Sequence, residues 1–462
     1  MWLSWTLFAL YAVVTAGLAW RGGKVATSSE GFAIGTGNMS PWIAGITLGA
    51  CLASSATFVL FPGFVYADGL AGLIGFGPPF LAGLCAGLVL LAPRFQDIGA
   101  DAGALTVPHW LGARYNSPGL RSLFGALNIL QLAYLVLITV GCGYVMQAAL
   151  GVPYPAAVIG IVLFVFSYTG FGGAVAHAFT NTLQGAVMLV IAIALAVSGY
   201  TLFPDAMAWL ATTSTVAPAS PIFGSTLEVW LVPLVIGIAL TTQPHLLSKA
   251  LYVRGRPALR KTLAVGLSCY AVYCLVLLVG PYAMVALGPD VAQDQVVAEY
   301  LARGIPWPIV GQVASVAILA ASMSTLDGLL VAISASVTGD IVPGRGSVTA
   351  NRIALALLGI ATIALALSPP DLVLLLGQKG VYGLVAASAG PLMAGLFLRG
   401  RLNPVGAYAS AGVALVVHFG LGLVLVNPGV TAAAALALAV PTAFLGARLG
   451  LEGQPNVGVK SG

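Results

Sequence analysis

The sequence predicts an all-α polytopic membrane protein of about thirteen transmembrane helices, arranged as two inverted five-helix repeats whose first helices are broken. Three observations support this. The 462 residues are 59% hydrophobic and only 7% charged, against about 25% charged in soluble domains. Mean hydropathy is +1.02, and the apolar stretches recur at membrane-spanning length. The basic residues alternate from loop to loop, as helices crossing a bilayer back and forth require.

Taken in order, the spans fall at roughly 2–20, 42–64, 69–91, 123–150, 156–175, 180–202, 227–248, 262–287, 308–338, 353–367, 372–398, 404–425 and 430–449. The first lacks a small-residue cleavage pattern and is long enough to cross, so it is kept as a helix. The fifth and sixth are divided by a glycine-rich corner, Gly170-Phe171-Gly172-Gly173. The tenth is short. The 58 glycines suit close helix packing in lipid. All five cysteines (Cys51, Cys85, Cys142, Cys269 and Cys274) lie in apolar segments without CxxC spacing, so they are expected to be reduced packing residues.

Alternate loops carry Arg21 and Lys24; Arg94, Arg114 and Arg121; Lys249, Arg254, Arg256, Arg260 and Lys261; Arg345 and Arg352; Arg399 and Arg401; Arg448 and Lys460. The opposite loops hold Arg303 as their one basic residue, with Asp68, Asp205, Asp290, Asp294, Glu299 and Asp371. The N-terminus is therefore expected outside and the C-terminus in the cytoplasm of an inner (cell) membrane. The net charge of +5 reflects these loops, so it speaks for topology rather than for nucleic-acid binding.

Two spans are interrupted. The second reads Thr47-Leu48-Gly49-Ala50-Cys51-Leu52-Ala53-Ser54-Ser55-Ala56-Thr57, with small and polar residues at its midpoint, where unwinding costs least packing. In the seventh, Pro244 removes a donor and biases Gln243 away from helix, so the chain is expected to break there. The breaks stand five spans apart and face opposite ways. The chain then divides into 1–41 (first helix and link), 42–202 and 203–398 (the two repeats) and 399–462 (two further helices and a tail). Paired broken spans of this kind mark a mid-membrane site for solute and ion.

Span nine carries hydroxyls where a membrane helix needs none. Ala321, Ser324 and Thr325 share one face as i, i+3 and i+4. Two hydroxyl oxygens and a loosened carbonyl suit a small hard cation, although mid-membrane serines also bond back to their own helix. The same span holds Asp327, a structural group or the partner of a cation.

At these residues the chain resembles the sodium:solute symporter family. The markers are Ser54-Ser55 through Phe61-Pro62-Gly63; Leu105-Thr106-Val107-Pro108; Tyr168-Thr169-Gly170-Phe171-Gly172-Gly173 with Thr180-Asn181-Thr182-Leu183-Gln184; Gln243-Pro244-His245; and Met323-Ser324-Thr325-Leu326-Asp327 through Gly339-Asp340-Ile341. The resemblance implies the inverted-repeat fold and a sodium ion held by the carbonyls of Ala50, Ala53 and Ala321 with the hydroxyls of Ser324 and Thr325. It departs at Asn181, where the family usually has aspartate; some relatives use that aspartate on the ion's exit path or at a second sodium. One sodium per solute is therefore expected. Ile236 and Leu240 stand where sodium/proline members carry aromatics, which argues against proline, while Tyr134 matches a substrate-side aromatic.

For the solute, the broken spans offer Ser54, Ser55, Thr57, Thr242 and Gln243, and span four offers Gln131 and Tyr134. A new helix start near Ser54 would attract a carboxylate, and Gln131 and Tyr134 equally suit bonds across helices. Lys379 has three readings: a partner for Asp327, a solute contact, or a side chain reaching the outer interface. The expected activity is sodium-coupled uptake of a small organic solute, carboxylate or amino-acid-like, within membrane lipid. The rivals are proton coupling in the same fold and a solute-sensing module. No HExxH, GxSxG or CxxC cluster supplies enzyme chemistry.

Overall fold

The structure is a computed structural model describing residues 2–23, 39–54, 56–101, 103–104, 106–341, 348–370 and 372–449, with backbone alone for 22–23, 170–176 and 348. Helix α1 (Trp2–Gly23) precedes a broken pair, α2 (Pro41–Leu52) and α3 (Phe61–Asp68), joined through a π-turn at Ala56–Leu60. Next come α4 (Leu70–Phe76), α5 (Pro78–Asp101), the short α6 (Val107–Arg114) and α7 (Pro118–Leu127). A 3-10 turn leads from α7 into α8 (Leu132–Leu150), followed by α9 (Tyr154–Ser198) and α10 (Phe203–Thr212). The second broken pair is α11 (Val232–Leu240) and α12 (Pro244–Leu247), the latter continuing as a 3-10 turn over Ser248–Tyr252. The remaining helices are α13 (Arg256–Tyr273), α14 (Val279–Leu287), α15 (Val296–Glu299), α16 (Pro308–Gly339), α17 (Val348–Ala366), α18 (Val373–Phe397), α19 (Pro404–Leu421) and α20 (Pro428–Gly446).

Proline at the first turn starts many of these helices, where its missing N–H costs nothing. Side-chain caps assist: Thr106 Oγ1 accepts from the His109 amide at 3.1 Å, and Asn427 Oδ1 from the Gly429 amide at 2.9 Å. Both expected breaks are present. The α2 half bends by 51° from the chain that follows it, and the α11 half by 60° from α12. Gln243 is extended (φ −59°, ψ 135°), the conformation a following proline favours.

Among the described residues, ten helices are long and apolar enough to cross a membrane, or twelve if each bent pair is one crossing. These match twelve of the thirteen expected spans. The expected fifth span corresponds to Tyr154–Thr169, a shorter apolar stretch within α9. The backbone is helical through the expected corner at Gly170–Gly173, so the fifth and sixth expected spans run on from one another without a loop in a 45-residue helix, which at about 1.5 Å per residue is long enough for two crossings. Glycine permits a turn without requiring one, and here the intrahelical hydrogen bonds prevail.

The bundle is built around α16. In its most apolar window 94% of residues are buried, and in that of α18 89%, whereas α1 has 22% and faces outward. Helices α9, α8, α2 and α17 wrap α16. Small residues let backbones touch where pairs cross: a Cβ on Gly237 of α11 would lie 2.6 Å from the Phe80 carbonyl of α5 and 3.0 Å from Gly83 Cα. On the face of α6 and α7, Asp340 ties the end of α16 in place. It accepts from Arg121 Nε at 2.8 Å and Thr106 Oγ1 at 2.7 Å.

Candidate ion and solute site

The break in the second span sets up the candidate ion site. Helix α2 ends at Leu52 because Ala53 is extended (φ −102°, ψ 127°), so carbonyls near its end are not taken up by a continuing helix. Helix α16 presents its hydroxyl face to them. Ser324 Oγ lies 3.2 Å from the Ala50 carbonyl oxygen and 2.6 Å from that of Ala321, and Thr325 Oγ1 lies 3.1 Å from the Ala53 carbonyl oxygen. All five residues are fully buried. Oxygens named from two distant stretches of sequence thus converge at one point.

The solute candidates divide. A cavity beside the candidate ion site is lined by Thr57, Tyr134 and Gln243 together with Cys51, Phe80, Tyr270, Gln378 and Tyr382, among others. Ser54 Oγ stands 2.9 Å from Tyr134 Oη and accepts from the Ala56 amide at 3.1 Å, while the Ser54 carbonyl accepts from the Phe58 amide. Ser54 therefore satisfies two amides of the new helix start that sequence reasoning offered to a carboxylate. Ser55 lies outside the described residues. Gln243 Oε1 and His245 Nδ1, from the second break, are buried without hydrogen-bond partners among the described residues, and both residues line the cavity.

Three candidates fall elsewhere. Thr242 Oγ1 donates to the Ala239 carbonyl at 2.7 Å and meets Ser388 Oγ at 3.3 Å. Gln131 Nε2 donates to Asn128 Oδ1 at 3.4 Å, a bond along its own helix rather than into the cavity. Lys379 is exposed on α18, where its carbonyl accepts from His418 Nε2; its neighbour Gln378 takes the cavity position. Of its three readings, the outward one matches this placement.

Asp327 is met by a different lysine. It is fully buried and accepts from His177 Nδ1 at 2.9 Å, Tyr168 Oη at 3.2 Å and Thr180 Oγ1 at 3.2 Å. The other ring nitrogen, His177 Nε2, lies 2.7 Å from Lys249 Nζ, and Lys249 also donates to Tyr252 Oη at 3.2 Å. Lys249, expected in a loop, is 3% exposed. His177 is 2% exposed and bridges the two charges. The missed signal was position: Lys249 follows Pro244 by five residues, inside the broken element rather than beyond it. Asn181 Nδ2 donates to Cys51 Sγ at 3.2 Å, and Asn181 Oδ1 is buried with no partner among the described residues.

Known proteins resemble this chain in sequence and in fold. The sequence model of the sodium:solute symporter family matches residues 32–413. Sodium/proline symporters of Staphylococcus aureus strains bovine RF122 / ET3-1 and Newman are 25% identical over 449 residues, covering 90% of this chain and 86% of theirs. Among solved structures, the chain resembles the substrate-bound outward-open state of a Na+-coupled sialic acid symporter, with a TM-score of 0.77 at 18% identity over 96% of this chain and 98% of that one. It also resembles a nucleobase-cation-symport-1 family transporter in a closed conformation, with a TM-score of 0.53 at 16% identity over 87% and 91%. At such identities the likeness is one of fold.

Proposed function

The chain belongs to the sodium:solute symporter family, and we propose that the solute it carries with sodium is a compact carboxylate or amino-acid-like molecule bound in the cavity lined by Thr57, Tyr134 and Gln243. The observation that carries the ion half of this reading is the approach of the Ser324 and Thr325 hydroxyls to the Ala50 and Ala53 carbonyls across a helix break. A hard cation of about this size takes oxygens at roughly 2.3–2.6 Å, which puts neighbouring oxygens about 3.4 Å apart. The facing oxygens stand 3.1–3.2 Å apart here. Sodium thus replaces the two hydrogen bonds with only a slight parting of α2 from α16, and its departure lets them re-form.

That exchange gives the cycle a physical basis. Sodium bound between α2 and α16 fixes the broken span whose outer continuation carries Thr57, so ion and solute stabilise one arrangement together. Loss of sodium toward the cytoplasm exchanges contacts to a charge for two neutral hydrogen bonds, which hold the same pair less firmly, and releases the solute. The two repeats, 42–202 and 203–398, supply the symmetry for alternating access, with 1–41 and 399–462 as flanking helices and links in the lipid. The N-terminus is read as outside and the C-terminus as cytoplasmic. We read no enzyme chemistry in the chain. Ile236 and Leu240 favour a solute other than proline.

Thermal-shift screening of carboxylates and amino acids, each with and without sodium, tests the reading. A stabilising solute whose effect needs sodium is expected. Stabilisation indifferent to sodium for every hit rejects it.

A further inference from the structure

We propose that Lys249 is a built-in counter-cation, whose ammonium, relayed through His177, balances Asp327 beside the ion site and takes the place of a second sodium ion. The proposal rests on the sodium-site reading above and deepens it to a count of ions.

The bonding order follows from the donors available. An ammonium only donates, so His177 Nε2 must accept from Lys249, 2.7 Å away. The imidazole proton then sits on Nδ1 and is donated to the Asp327 carboxylate at 2.9 Å. One neutral ring thus joins one positive and one negative group, and the set is electrically closed. Three elements are tied by it: the turn after α12 by Lys249, α9 by His177 and Thr180, and α16 by Asp327.

The place is otherwise suited to a cation. Asp327 lies one helical turn beyond Ser324 on α16, and Cys51, between the ion-site residues Ala50 and Ala53, touches both His177 and Asn181. Around Asp327 stand Thr180 Oγ1 and Tyr168 Oη. Asn181, next to Thr180, holds a buried oxygen with no partner among the described residues. A carboxylate with two hydroxyl oxygens against it is a hard-cation donor set. A buried carboxylate needs a partner charge, and here the chain carries its own. It does so from the second broken helix, so the partner travels with that helix.

Equilibrium binding of radioactive sodium to the purified full-length protein in lipid tests this. The wild-type chain is expected to bind one sodium ion. Lys249→Met leaves Asp327 unmatched and should bind two, and Lys249→Met with Asp327→Asn should bind one again. A wild-type chain that binds two ions overturns the proposal and leaves the ion site standing. A wild-type chain that binds none removes the ion site itself. A folded Lys249→Met protein that still binds one ion also overturns the proposal. Where Lys249→Met fails to fold, the double variant should fold because neither charge is then buried alone; if it is as unfolded as the single variant, the two groups are not a charge pair and the proposal falls.

Discussion

Replacing Thr325 by alanine removes one of the five oxygens assigned to sodium and little else. Its hydroxyl is fully buried and, among the described residues, donates to the Ala53 carbonyl at 3.1 Å. A contact between a hydroxyl and a charged group is worth about 1.5–3 kcal/mol. Each ~1.4 kcal/mol is a tenfold change, so sodium affinity should fall about 10- to 150-fold. In the ion-free protein the loss is one neutral hydrogen bond, about 0.5–1.5 kcal/mol, and folding should survive. Sodium titration followed by thermal shift, in buffers held at constant ionic strength with choline, reads both quantities from one sample. Thr325→Ser keeps the oxygen and should stay near wild type. If Thr325→Ala folds normally and its sodium midpoint does not move, the Thr325 hydroxyl is not a ligand and the pentad is wrong.

Other perturbations separate the parts. Tyr134→Phe removes the group that Ser54 Oγ approaches to 2.9 Å, so the affinity for a solute found by screening should drop roughly 2- to 10-fold with sodium binding unchanged; an unaltered solute midpoint would take Tyr134 out of the site. Gly237→Ala forces a Cβ onto the Phe80 carbonyl and Gly83, an overpacking cost of about 1–3 kcal/mol that should lower the thermal midpoint. Gly17→Ala on α1, which meets nothing within 4 Å, should leave that midpoint unchanged and serves as the control. His109 on α6 is half-buried, and burial, with Arg121 nearby, holds its imidazole below the ordinary value. The unfolded chain then binds the proton first, so this contribution is full above the unfolded value and is lost as pH falls through it. His109→Gln should accordingly flatten the decline in thermal midpoint between about pH 7 and 5; an unchanged slope would show that another group is responsible.

How much could be read beforehand differed from residue to residue. The two breaks were legible because proline and clustered small residues act locally, on the chain that carries them. The convergence on Ser324 and Thr325 was legible because helical periodicity places both on one face, and the family resemblance supplied the opposite wall. Lys249 was not, because counting basic residues by loop treats every lysine near a polar connection as solvated. This one lies in a turn that folds back against α9. Lys379 sits in an apolar segment, and no periodicity told its outward face from the cavity face that Gln378 occupies. Tyr270 and Phe80 were missed for a related reason: aromatics in apolar spans have no pattern that separates a cavity wall from a packed core. The glycines at 170–173 permitted a bend, but only the neighbouring helices could decide whether one forms.

Helix α16 is enclosed by protein along most of its length, and this bears on how the sequence can vary. A helix with a lipid side can exchange one greasy residue for another there at small cost. This one has almost no such side, so a larger residue strikes a neighbour and a smaller one leaves a void. A library of random substitutions selected for transport should therefore be emptiest along 314–334, and richest on the outer surfaces of α1 and α19, where a side chain answers only to the bilayer.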